Sequence, residues 1–339
     1  MGQTKIIKLL ILLALVGCTE RTKDGRFVAN LDKASMKNID LNEYCQKIEI
    51  ISLNDADTLS PESRFSVFDK GFIIQKDSTC LVYFDKTGHF QQELRFDLIE
   101  DFSVYKNKRL YILTSNRIEL YDLNNMSYVC SLPLLDTSYT YCKVAGRDDN
   151  FIVVIAVRDG LEYSGHYDIK NRVCYLAEGT IKGNNHSLRK VLSNSGFYYS
   201  EDDLYFFYSN TGTIYRMADF FFLSYTWSFE HKVPLQIRIS NVQKMSDKLF
   251  MQIETSRGDY RLIMTLGENG YPRKTELYSN SIIPSFPLGV IFNSTNYFLC
   301  DSKDIFKYIS GDLLDNKENI PLDILQSASR YSVIKYHLK

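Results

Sequence analysis

A short strand rich in β-branched and aromatic residues returns six times along this chain, and that recurrence limits the fold more than any other feature. The copies are Gly71–Lys76, Arg109–Thr114, Phe151–Val157, Asp203–Ser209, Lys248–Glu254 and Asn296–Ser302. A second strand follows each, often closing on an aromatic residue and a polar turn. It is clearest at Leu81–Gly88, Ile118–Asn124 and Gly165–Asn171, and looser at Thr213–Arg216, Arg261–Gly267 and Ile305–Tyr308. With Asp85, Asp122, Asp168, Arg216, Gly267 and Tyr308 as equivalent turn positions, the spacings are 37, 46, 48, 51 and 41 residues, a mean of about 45. That is the length of one four-stranded blade of a β-propeller. The runs are too short for helices and lack the i, i+3, i+4 recurrence of an amphipathic one. The expectation is therefore an all-β, six-bladed β-propeller of antiparallel blades.

The first blade can be written out as Arg64–Phe68 innermost, then Gly71–Lys76, Leu81–Asp85 and Phe90–Phe96, with Gly71 and Gly88 placed where tight turns need positive φ. A propeller must also close its ring without leaving open edges. Gln46–Leu53 precedes the first blade and suits the outer strand of the last one, alongside strands near Gly289–Tyr308. Short helices are expected only at Pro321–Arg330 and around Asn38–Tyr44.

The N-terminus carries an address. Lys5 and Lys8 form a positive region, Leu9–Val16 a short apolar one, and Leu15-Val16-Gly17-Cys18 resembles the bacterial lipobox, in which the thiol receives a diacylglycerol. The apolar run is too short for a permanent membrane span. Residues 1–17 thus read as a lipoprotein signal peptide, 18–37 as a tether after a lipidated Cys18, and 38–339 as the propeller. Such a protein is held to a bacterial membrane by acyl chains, on the periplasmic or cell-surface side, with the outer membrane as the expected site. The formal net charge of −1, from 40 basic and 41 acidic residues, gives no footprint for nucleic acid. Cys45, Cys80, Cys130, Cys142, Cys174 and Cys300 form no CxxC pair, and read as scattered buried thiols rather than a disulfide framework or metal site.

The lipobox and tether, the Ile48–Leu53 strand and the Leu-Val-Tyr-Phe-Asp-Lys-Thr-Gly text of Leu81–Gly88 together resemble the six-bladed β-propeller lipoproteins of Bacteroides and its relatives, a TolB-like or NHL-like group mostly of unknown function. The likeness would span about residues 38–339. Many members carry a Gly-Pro-Gly-Glu turn before an Asp-Phe strand; Asp101-Phe102 is present, but Phe96–Glu100 replaces the turn. The resemblance brings no catalytic residues with it.

A propeller enzyme should repeat carboxylates, His or Asn at matching inner-strand positions, and no such set is visible. His89, His166, His186, His231 and His337 have no zinc-ligand spacing, and no Gly-x-Ser-x-Gly elbow occurs. Asn54–Asp57 lacks the glycine and distal Glu of a calcium loop, and Gly179–Gly183 lacks the phosphate-loop spacing. No cofactor or metal is expected. The aromatic run Asp219–Phe229 is the one unusual stretch: Tyr225 and Trp227 could stack on a ligand, or could pack between blades, as could Tyr139–Tyr141 and Phe197–Tyr199. The reading favours a non-catalytic module binding a protein or glycan partner. The alternatives are a calcium-dependent lactonase or lyase on the same scaffold and a carbohydrate-binding accessory protein.

Overall fold

The computed structural model describes residues 19–21, 27–30, 40–54, 59–60, 63–200, 203–209, 213–218, 221–230, 237–256, 258–267, 272–279, 286–309 and 331–339. Its strands, numbered β1 to β26 along the chain, form six sheets, and the fold is a six-bladed β-propeller. Two compact units make it up, Leu41–Phe197 with Gly289–Lys339, and Met1–Asp40 with Tyr198–Leu288.

The larger unit holds four blades. Blade 1 is β4 (Phe65–Phe68), β5 (Gly71–Asp77), β6 (Cys80–Asp85) and β7 (Phe90–Arg95), within a residue or two of the strands expected. Blade 2 is β8 (Asp101–Tyr105), β9 (Arg109–Leu113), β10 (Arg117–Asp122) and β11 (Ser127–Pro133). Blade 3 is β12 (Thr140–Gly146), β13 (Phe151–Arg158), β14 (Leu161–Asp168) and β15 (Val173–Lys182). The closing blade takes β24 (Val290–Phe292), β25 (Thr295–Asp301) and β26 (Tyr331–Leu338) from the C-terminal end and β3 (Cys45–Leu53) from the other. β3 is its outer strand, antiparallel to β26 with Ile334 opposite Ile50, so the ring closes through an N-terminal strand as expected.

The physics of the repeat is visible in blades 1 to 3. Second strands are covered on both faces, so Ile152–Val157 is buried throughout, whereas outer strands such as Ser127–Pro133 are largely exposed. Each third strand ends on an aspartate that caps the next turn: the Asp85 carboxylate accepts from Thr87 N at 2.8 Å, Asp122 from Asn124 N at 2.8 Å and Asp168 from Asn171 N at 2.9 Å. Gly88 turns at φ +90°, and a Cβ there would stand 2.0 Å from the Ser52 carbonyl, so only glycine lets the blade 1 turn meet β3. Blade 1 and the closing blade share a core of Leu53, Phe72, Ile74, Phe84, Leu299, Tyr331 and Val333.

The last turn anchor needs correction. Tyr308 follows a 3₁₀ turn, Ser302–Lys307, started by Asp301, and the third strand of the closing blade is β26 instead. The short helix expected around Asn38–Tyr44 is α1 (Leu41–Tyr44), Pro321–Arg330 lies outside the described residues, and a ten-residue helix at Asn185–Asn194 is one not expected from the sequence.

The smaller unit holds blade 4, with β16 (Gly196–Ser200, which starts at the unit boundary), β17 (Asp203–Phe207), β18 (Thr213–Ala218) and β19 (Phe221–Glu230), and blade 5, with β20 (Ile237–Met245), β21 (Lys248–Thr255), β22 (Gly258–Leu266) and β23 (Pro272–Ser279). Tyr198 stacks on Tyr205 at 5.0 Å and both join a core with Ile239, Met251 and Leu262, so Tyr198 is a packing residue. The segment read as a tether carries two short strands, β1 (Thr19–Arg21) and β2 (Phe27–Asn30), which extend the blade 4 sheet beyond β19.

Candidate functional site

Ligands of propellers sit where inner strands and their connecting loops meet, and in the larger unit three successive blades each deliver one charged side chain there. Arg64 stands just before β4, Asp101 is the first residue of β8, and Lys143 lies on β12, next to a bulge after Tyr141. Asp101 is the hub. Its Oδ1 accepts from Arg64 Nη2 and, at 3.4 Å, from Lys143 Nζ; its Oδ2 accepts from Val144 N at 2.9 Å. The Asp101 and Lys143 side chains are 3% and 4% exposed. Burial pulls the Lys143 ammonium below its ordinary range, and attraction to Asp101 pulls it back.

A buried carboxylate sharing two cations and a backbone N–H is compensated, and such a set holds strands together only while all its members remain. Arg64 differs from the others. Its side chain is 40% exposed, its Nη2 also donates to the Phe102 carbonyl at 3.4 Å, and its guanidinium lies 5.0 Å above the Phe102 ring, so it is the one member of the trio that reaches solvent.

Helix α2 (Asn185–Asn194), between blade 3 and β16, borders the cluster. Asn184 caps it, accepting from Ser187 N at 2.8 Å, and Leu188 and Leu192 are its buried residues. Its Arg189 reaches both Glu100 oxygens at 3.3 Å, and the Ser193 carbonyl near its C-terminus lies 3.5 Å from Lys143 Nζ, where a helix end favours a cation. In blade 3, Arg158 is held between two rings, 4.3 Å from that of Tyr139 and 4.9 Å from that of Tyr163. Tyr139 is thus a half-buried ring at a strand end, while Tyr141 is buried.

The sequence search missed the trio because it sought one residue type repeated from blade to blade. The available signal was Lys143 itself, a lone charge inside the strand text Tyr-Cys-Lys-Val-Ala-Gly. Tyr225 and Trp227 lie on β19, their backbones in register with Ile214 and Phe27; their side chains lie outside the described residues. Cys18, His231 and Asp55–Asp57 also lie outside them. The six other cysteines are free, and burial pushes the Cys45, Cys80, Cys142, Cys174 and Cys300 thiols up to about 12, which keeps them unreactive. Among the described residues, no group of three or more His, Cys, Asp or Glu side chains is arranged to hold a metal ion, and no helix is long and apolar enough to cross a membrane.

No protein-family model matches the chain, and no curated protein matches it. The chain is similar in structure to a protein of Bacteroides fragilis named as exported, with a TM-score of 0.64 at 13% identity over 92% of this chain and 99% of that one. It is also similar to a streptogramin B lyase (TM-score 0.49, 12% identity, 74% of this chain and 80% of that one) and to virginiamycin B lyase from Staphylococcus aureus (TM-score 0.43, 14% identity, 70% and 89%). At these identities the first likeness shows the shared propeller fold.

Proposed function

We propose that this chain is an exported lipoprotein, anchored to the bacterial envelope through Cys18, whose propeller is a non-catalytic binding module that takes an acidic group of a partner at Arg64. The observation that carries the reading is the division of labour in the trio. Asp101 and Lys143, the groups that could exchange a proton, are buried, with Asp101 held by Arg64, Lys143 and Val144 N, while Arg64, though paired with Asp101, is the member whose side chain reaches solvent. A general acid or base must reach the atom it protonates, and these two do not. A guanidinium beside an aromatic ring is instead suited to holding a carboxylate, sulfate or phosphate group.

The test uses residues 19–339 on an array of acidic and neutral peptides and glycans, with ligand consumption followed in solution with and without calcium. Saturable binding to acidic members, weakened at least tenfold by Arg64→Ala and unchanged by Arg95→Ala, an exposed arginine outside the trio, is the expected result, with no ligand consumed. Calcium-dependent turnover would replace this reading with the lactonase or lyase one. Binding confined to neutral glycans and lost with Trp227→Ala would replace it with the carbohydrate-binding one.

A further inference from the structure

Blade 4 is the only described blade whose sheet has more than four strands, and the extra two come from the segment next to Cys18. β2 runs parallel to β19, pairing Phe27 with Trp227 and Asn30 with Glu230. β1 turns back antiparallel, pairing Thr19 with Ala29 and Arg21 with Phe27. Addition of strands to an outer edge covers N–H and C=O groups that would otherwise face water.

This arrangement changes what the anchor can do. A free segment of residues 18–37 would let the propeller drift about 65 Å from the bilayer. With β1 in place, the residue after Cys18 is already part of the sheet, and the anchored residue is one Cα step, about 3.8 Å, from it. Thr19 is level with Ala29 and hence with Phe229, so it lies at the end of β19 from which the chain leaves for β20. With strands about 4.8 Å apart, β19 itself is about 10 Å from β1.

We infer that the N-terminal segment is a dock rather than a tether, and that it holds the outer edge of blade 4 against the lipid surface. The inference rests on the proposed lipidation of Cys18. Trp227, the only tryptophan in the chain, is a native reporter on β19.

The full lipoprotein is placed in phosphatidylethanolamine–phosphatidylglycerol vesicles containing headgroup-nitroxide lipid. Fractionation of the protein and of Cys18→Ser first establishes the anchor; if both are soluble, the lipidation reading fails and the dock fails with it, a result visible in that step alone. For the anchored protein, amides of Phe27–Asn30 are expected to exchange at least a hundredfold more slowly than in a free chain. Trp227 is expected to be quenched more strongly than the tryptophan of a Tyr128→Trp, Trp227→Phe variant, which reports from blade 2. Val28→Pro, which removes a strand donor, is expected to keep the protein on the vesicles while abolishing the protection and weakening the Trp227 quenching. Free-chain exchange at Phe27–Asn30 in the anchored protein, or equal quenching at the two positions, would overturn the inference.

Discussion

Blade 1 and the closing blade have the same four-stranded order but are assembled from different stretches of chain. Blade 1 is one continuous run, Phe65 to Arg95, whose hairpin turns are set by Gly71, Asp85 and Gly88. The closing blade joins β26 to β3 across almost the whole sequence, so no local turn fixes that register. Side chains do so instead. Ile48 and Ile334 are buried, and Glu49 on β3 meets Lys335 Nζ at 2.6 Å and His337 Nε2 at 3.1 Å on β26. The contrast shows that a blade can be specified either by its turns or by its partners. The second way carries a large loop-closure entropy that only the completed fold offsets.

The sharpest way to break the comparison is to remove β26. Deletion of Tyr331–Lys339 takes away the one strand that pairs with both β25 and β3, and the expected outcome is loss of cooperative thermal unfolding, read by near-UV circular dichroism. A purified variant that still melts in one sharp transition would show that blade 1 and its neighbours do not need closure.

Next in size are two matched truncations. Ile74 on β5 and Ile334 on β26 are both fully buried, and Ile→Ala at either should cost about 2–5 kcal/mol. Their kinetics should differ. If local hairpins form first and the ring closes last, Ile334→Ala mainly speeds unfolding while Ile74→Ala also slows folding, as chevron plots would resolve. The opposite assignment would make closure the nucleus.

The same contrast explains what was legible in the sequence. Blade 1 could be drawn strand by strand, and blades 2 and 3 by their two middle strands, because doubly covered strands such as Phe151–Arg158 leave continuous apolar text and turns announce themselves as Asp or Gly. The closing blade was only half legible. Its third strand was sought at Ile305–Tyr308, right after the second, whereas the chain makes a 3₁₀ turn there and returns only at Tyr331. Period counting assumes contiguous blades. The parallel pairing of β2 with β19 likewise joins distant residues and leaves no local mark. The Arg64–Asp101–Lys143 set escaped for a related reason: its members come from three blades, and nothing local marks Arg64 or Asp101 as a partner of the unusual Lys143.

Two smaller effects sharpen the comparison on the polar side. Partial burial pushes the Glu49 carboxyl up, but hydrogen bonds and attraction from Lys335 and Lys47 outweigh it and hold the group at about 2, below its ordinary 4.5. A carboxyl depressed in the folded state stabilises above its unfolded pKa, and that contribution is lost as pH falls from about 4.5 towards 2. Because the pair is partly solvated, the loss should be about 1 kcal/mol. Thermal melts between pH 6 and 2.5 should therefore fall more steeply for the native protein than for Glu49→Gln. Parallel curves would mean that the ion cluster does not help hold β3 to β26.

The smallest effect belongs to blade 1. The Asp85 carboxylate ties its turn through Thr87 N, Thr87 Oγ1 and His89 N, at 2.8, 2.6 and 3.1 Å. These bonds are exposed, and an exposed bond exchanges for one to water at little net gain, so Asp85→Ala should cost about 1 kcal/mol. Glycine 88 still supplies the turn's positive φ and its close approach to Ser52, which keeps the register without the carboxylate. Asp85→Asn retains an acceptor and should recover most of the difference in a urea melt. If Asp85→Ala instead proved as costly as Ile334→Ala, the turn would be specifying the blade alone, and the distinction between turn-specified and partner-specified blades would be stronger than their shared core implies.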